Sequence, residues 1–142
     1  MISITKIFRF EAAHAIYTYP GSCQNIHGHS YELQVTVHAK QESDGFIPGL
    51  GITLDFKVLK ACVQESVIKV LDHKLILSKA YLANVKNEFS PSELFVFEHE
   101  PTAENLLVFS RNQIRAALPE SVGLKSLRLY ETRDSFADWS EG

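Results

Sequence analysis

The chain has 142 residues, of which 45% are apolar and 22% charged, with a formal net charge of −3. That is the size of one domain with apolar residues enough for a core, so the composition excludes a disordered chain and offers no basic footprint for nucleic acid. No apolar run approaches the ~20 residues that span a bilayer, and two cysteines, Cys23 and Cys62, are too few for a disulfide framework; the expectation is a reduced, cytoplasmic protein.

Residues 2–14 alternate, with Ile2, Ile4, Phe8, Phe10, Ala12 and His14 on one parity, which predicts a half-buried strand rather than a signal peptide. Residues 15–26 hold Pro20-Gly21-Ser22 and read as a loop. A second strand covers 29–40, with Tyr31, Leu33, Val35, Val37 and Ala39 facing one way. After a turn at Glu42–Gly45, residues 46–54 are expected to form a third strand, broken by Pro48-Gly49 and Gly51. Asp55 is the expected N-cap of a helix with Leu59, Cys62, Val63, Val67, Val70 and Leu71 on its apolar stripe. Residues 74–92 show no clear period, and Leu94–Phe97 is a short apolar run suited to an edge strand. Thr102 is the expected cap of a second helix whose inner face holds Ala103, Leu106, Leu107, Ser110, Ile114, Ala117 and Leu118, ended by Pro119. A last strand over about 124–132 delivers Glu131 near its end, and the tail from Arg133 is short and polar apart from Phe136, Ala137 and Trp139. One polar face per strand predicts an α+β domain over 1–142, an antiparallel sheet with the helices on its other face.

The densest chemical signal is Cys23-Gln-Asn-Ile-His27-Gly28-His29. On an extended chain positions i and i+2 point the same way, so His27 and His29 can converge on one ion. If the first two strands pair, His14 arrives beside them; three neutral imidazoles suit zinc and leave a fourth position open. The plainer alternative is three ordinary histidines, the reading given to His38 and His99 as surface residues. Cys23 reads as a fourth ligand, as a thiolate base or nucleophile, or as an inert loop cysteine; Cys62 reads as a core residue. Asp72-His73 after the first helix is either a proton relay, in which the carboxylate fixes the imidazole tautomer, or a histidine placed well at a helix C-terminus. Glu131 can accept two hydrogen bonds from an amidine-like donor pair of a guanine or pterin ring, or is simply a solvated strand end. The Thr102-Ala-Glu104-Asn105 segment is first a helix start, whose free N–H groups can also meet a ligand.

His14 in Phe-Glu-Ala-Ala-His, the Cys23-x3-His27-Gly-His29 cluster, Leu54-Asp55-Phe56, Leu71-Asp72-His73, Pro101-Thr-Ala-Glu-Asn105 and Glu131-Thr132 occur in that order. Together they resemble the 6-pyruvoyl-tetrahydropterin synthase / 6-carboxy-tetrahydropterin synthase family, from about residue 3 to 132. The resemblance implies the tunnelling fold: a four-stranded antiparallel sheet with two helices on one face, a barrel closed by three subunits, and two trimers stacked as a homohexamer with active sites between subunits. It implies zinc on His14, His27 and His29, Cys23 as general base with Asp72 and His73 as relay partners, and Glu131 with Thr102 holding the pterin. The implied substrate is 7,8-dihydroneopterin triphosphate. Zinc would act as a Lewis acid on the side-chain hydroxyls, Cys23 would remove a side-chain proton, and triphosphate would leave. The cysteine–histidine spacing resembles the carboxy branch of queuosine biosynthesis, which also releases acetaldehyde. The pyruvoyl branch tends to a longer gap, and aldolase-like members carry a glutamate near the cysteine position. The stretch between His73 and Pro101 is longer than in compact members, and Asp134–Trp139 is not strongly typical of them. A triphosphate also needs cations, which a net-acidic chain would take from a neighbouring subunit.

Two other classes fit parts of the pattern. A cysteine hydrolase would use Cys23, His73 and Asp72 without metal, although an orienting acid usually comes from elsewhere in the fold than the residue beside the histidine. A binding module would grip a purine or pterin through Glu131 and would not need Cys23.

Overall fold

The computed structural model describes residues 1–142. Six strands form one sheet, whose spatial order is β4 (Leu94–Phe97), β3 (Lys74–Ser78), β1 (Ser3–His14), β2 (His27–Ala39), β5 (Val122–Thr132) and β6 (Ser135–Ser140). β1 (Ser3–His14) and β2 (His27–Ala39) pair antiparallel along their whole length, with His14 opposite His27 and Ala12 opposite His29. β5 (Val122–Thr132) adds to β2, with a bulge where Thr36 meets Val37, and β6 (Ser135–Ser140) adds to β5. The period-2 pattern explains this central part. Phe8, Phe10 and Ala12 of β1, Tyr31, Leu33 and Val35 of β2, and Leu127 and Leu129 of β5 all enter one buried cluster, and the intervening residues stay wetter.

The helices cover that apolar face. α1 (Phe56–Val63) is capped by Asp55, whose carboxylate accepts from Lys57 N at 2.8 Å. It widens into a π-helical segment (Gln64–Ile68) before a last α turn, α2 (Lys69–Leu71). Leu59, Val63, Val67 and Leu71 are all fully buried. At about 100° per residue a strict four-residue spacing drifts by about 40° a step on a regular helix; the wider π turn absorbs that drift and turns Ile68 inward as well. α4 (Ala103–Ala117) starts at Thr102, whose hydroxyl accepts from Asn105 N at 3.1 Å, and buries Leu106, Leu107, Ser110 and Ile114.

Several expectations need correction. The sheet has six strands rather than four, and it is mixed, because β3 (Lys74–Ser78) runs parallel to β1 and β4 (Leu94–Phe97) parallel to β3. Residues 46–54 form no strand; Gly49 and Gly51 sit at φ of 69° and 78°, in the left-handed region that breaks an extended run. The opaque stretch after His73 holds β3 and the short α3 (Lys79–Asn84), and the polar tail is the edge strand β6. Cys62 is half-buried on the helix flank, its thiol donating to Ala117 O at 3.4 Å, and Ala117 is exposed. His38 is not a surface residue. Its ring lies over Gly123, where an added Cβ would stand 2.7 Å from Nε2. His99 is exposed, as expected.

Candidate metal centre and substrate cavity

The register of the β1–β2 pair builds the centre. His14 closes β1 on its buried parity, His27 opens β2 directly opposite, and His29 follows two residues on. One ring nitrogen from each lies within 4.8 Å of the others. His14 is fully buried, and the other two are half-buried.

Two backbone carbonyls set the tautomers. His14 Nδ1 donates to Pro101 O at 2.6 Å, and His27 Nδ1 donates to Asn25 O at 2.7 Å. A carbonyl can only accept, so both Nδ1 atoms carry the proton and both Nε2 atoms keep a lone pair. These two Nε2 atoms face each other at 3.1 Å. Two neutral lone pairs at that distance repel unless a cation or a proton lies between them. Donors about 2.05 Å from a tetrahedral zinc stand about 3.3 Å apart, so the pair has the spacing of two ligands of one ion. His29 Nε2 is buried with no hydrogen-bond partner, and Glu131 Oε1 stands 3.7 Å from it. Burial holds the His14 imidazole below the ordinary histidine value, against the opposite pull of the Pro101 carbonyl and the Glu131 charge. Burial likewise lowers His29. Both effects favour the neutral, ligand-competent form. His14, His27 and His29 can therefore hold a metal ion.

Beneath the cluster lies Tyr31, two residues beyond His29 on the same strand face, fully buried and stacked on Phe10 at 4.9 Å. Burial raises its hydroxyl pKa, so it stays a neutral wall of the site.

A cavity of about 640 Å³ opens beside the histidines. His14, Cys23, Thr102, Glu104 and Glu131 line it, with Ser135–Asp138 of β6 along one side. Four of the expected site residues (His14, Cys23, Thr102 and Glu131) thus share one concave space of a size that suits a small-molecule ligand. Cys23 is presented by a 3-10 turn (Ser22–Gln24) in the loop after β1.

Asp72 and His73 do not join them. Asp72 Oδ1 accepts from Glu11 N at 2.9 Å, and His73 Nδ1 stands 2.9 Å from the same oxygen. The His73 side chain is 78% exposed and lines a separate depression with Glu11, Gly28, His29, Lys74 and Glu93. His73 also holds φ at 58°, a costly backbone state for a residue with a Cβ.

The sequence pattern missed the carbonyls of Pro101 and Asn25 that orient the histidines. A backbone acceptor leaves no side-chain signature, and only proximity to the ligand motif hints at Asn25.

The family model described as 6-pyruvoyl tetrahydropterin synthase matches residues 3–141. The chain belongs to this family. Among relatives of the family, a 6-carboxy-5,6,7,8-tetrahydropterin synthase of Haemophilus influenzae is 30% identical over 99% of this chain and 100% of its own. A 6-pyruvoyl tetrahydrobiopterin synthase of Poecilia reticulata is 30% identical over 91% of this chain and 83% of its own. The crystal structure of an uncharacterized Wolinella succinogenes protein shares the fold, with a TM-score of 0.78 at 20% identity, covering 99% of this chain and 98% of the other. No helix is long and apolar enough to cross a membrane.

Proposed function

We propose that the protein is a zinc-dependent lyase of the 6-pyruvoyl tetrahydropterin synthase family. It converts 7,8-dihydroneopterin triphosphate and one water to 6-carboxy-5,6,7,8-tetrahydropterin, releasing acetaldehyde and triphosphate. The observation that carries this reading is the imidazole triad His14, His27 and His29, of which His14 lines the cavity that also holds Cys23, Thr102 and Glu131. Full-length relatives named 6-carboxy-5,6,7,8-tetrahydropterin synthase support the carboxy branch.

Zinc bound by His14, His27 and His29 supplies Lewis acidity toward the hydroxyls of the substrate side chain. The chain's own residues do the rest. Glu131 accepts two N–H bonds from the pterin ring and sets its depth in the cavity, with Thr102 beside it. Cys23 takes a proton from the side chain as general base. His73, its tautomer held by Asp72, passes protons to and from the substrate oxygens. In one chain His73 stands outside the Cys23 cavity, so the reading places the relay of one subunit against the base of another. That arrangement fits a homohexamer built as a dimer of trimers, in the cytoplasm.

A product assay tests the reading. With zinc-loaded protein and 7,8-dihydroneopterin triphosphate, mass spectrometry with an aldehyde trap is expected to find a carboxy-pterin and acetaldehyde. A pyruvoyl-pterin without acetaldehyde would move the protein to the other branch. No turnover would overturn the substrate assignment.

A further inference from the structure

The loop that carries Cys23 is fastened in a way the family pattern does not explain. Inside the loop, Ile16 N donates to Cys23 O at 2.8 Å, and the remaining backbone bonds close local turns. One hydrogen bond ties the loop to a distant part of the chain: Tyr17 N donates to the Glu100 carboxylate at 2.7 Å. Glu100 is half-buried, and its own carbonyl accepts from Asn105 Nδ2 at 3.0 Å in the first turn of α4. The next residue, Pro101, provides the carbonyl that orients His14, and Thr102 caps α4 and lines the cavity. Three consecutive residues therefore touch the thiol loop, the imidazole centre and the cavity wall.

We propose that Glu100 is a positioning residue whose carboxylate, through Tyr17 N–H, sets the place of the Cys23 thiol relative to the imidazole centre. The inference rests on the reading of Cys23 as the base. The physical argument is one of leverage. An ionised carboxylate on a backbone N–H is a strong, charge-assisted bond, and a partly buried one is screened little. Without it, what fastens the 15–26 loop is its own local bonds, the buried Ala15 beside Leu77 at the loop's start, and the packing of the Tyr17 ring against Tyr81, 6.4 Å between centroids. A base displaced by about 1 Å loses a large part of its rate. Glu100 itself touches neither the cavity nor the histidines, so its effect on the centre runs through the loop.

Three variants and three readouts test this. Cys62→Ala is the background, so that Cys23 is the only thiol. In it, Glu100→Ala is expected to lower kcat about tenfold with KM nearly unchanged, and to raise the rate of Cys23 alkylation by iodoacetamide about tenfold, the worth of one charge-assisted bond. Zinc content stays at the background level. Glu100→Gln, whose amide oxygen still accepts from Tyr17 N–H, is expected to recover most of both effects. Unchanged alkylation in Glu100→Ala would overturn the proposal, and so would a Glu100→Gln variant as impaired as the alanine. Zinc loss from Glu100→Ala would overturn it too, since the effect would then run through Pro101 and His14. Alkylation and zinc content need no substrate, so a failed substrate assignment leaves them decisive and is recognised separately by the absence of turnover in the unsubstituted protein.

Discussion

His14 accepts a low proton affinity in exchange for its place in the core. Burial pushes its pKa, and that of His29, below the ordinary histidine value of about 6.5. A histidine depressed in the folded state binds its proton more readily when unfolded. The metal-free protein should therefore hold its stability above about pH 6.5 and lose it as pH falls through that value towards the lowered folded pKa. Thermal melts of chelator-treated protein between pH 7.5 and pH 5 check this; a flat Tm across that window would count against neutral, buried rings. His73 makes the opposite trade. Its left-handed backbone costs on the order of 1 kcal/mol that glycine would not bear. His73→Gly should raise the unfolding free energy in a denaturant titration by about that amount, while removing the proposed relay imidazole and most of the turnover. A variant that loses stability instead would show that the Asp72 contact outweighs the strain.

At the scale of elements, strong periodicity was legible and weak periodicity was not. β1, β2 and β5 alternate over ten or more residues, and the Asp55 and Thr102 caps announce their helices, so the part of the fold that aligns His14, His27 and His29 could be read from the pattern alone. β3 and β4 are five and four residues long and bury both faces partly, so no alternation marks them. β6 reads as a polar tail because Ser135, Phe136, Asp138 and Ser140 are exposed at the sheet edge, and only Ala137 and Trp139 pack inward, the Trp139 ring under the Arg115 guanidinium at 4.7 Å. The site divides the same way. Side-chain motifs were visible, whereas the separation of Asp72-His73 from Cys23 depends on where the π-widened helix delivers its last turn against Glu11. α4 is the element that carries both the Pro101 corner and much of the core. Leu106→Ala, at a fully buried position, should cost about 2–5 kcal/mol in a denaturant titration. The Cys23 thiol and histidine positions depend on the Glu100–Thr102 corner upstream of it, so the folded variant should still take up zinc; loss of zinc uptake in folded protein would mean that the corner is held by the helix packing rather than by its own hydrogen bonds.

The molecule as a whole lacks two things its proposed chemistry needs. No lysine or arginine lines the Cys23 cavity, which instead carries Glu104, Glu131 and Asp138, although the proposed substrate bears a triphosphate. His73 opens into a different depression. The sheet is also unfinished: β1 meets β3 only at Ala12–His14 and the Asp72-His73 turn at Glu11, leaving Ser3–Phe10 with one unpaired edge, and β6 ends the sheet on the far side. Open edges of this length are ordinarily covered, and copies of the chain that cover them would bring new side chains to each cavity. A subunit-mixing experiment separates a shared site from a self-contained one. Cys23→Ala and His73→Ala homo-oligomers should each be nearly inactive. Dissociated and reassembled together, they form mixed assemblies in which, by random association, about a quarter of the Cys23–His73 pairings between copies unite two intact partners. Recovery of about a quarter of the unsubstituted activity is expected. If both residues acted within one chain, every chain would still lack one of them and mixing would restore nothing.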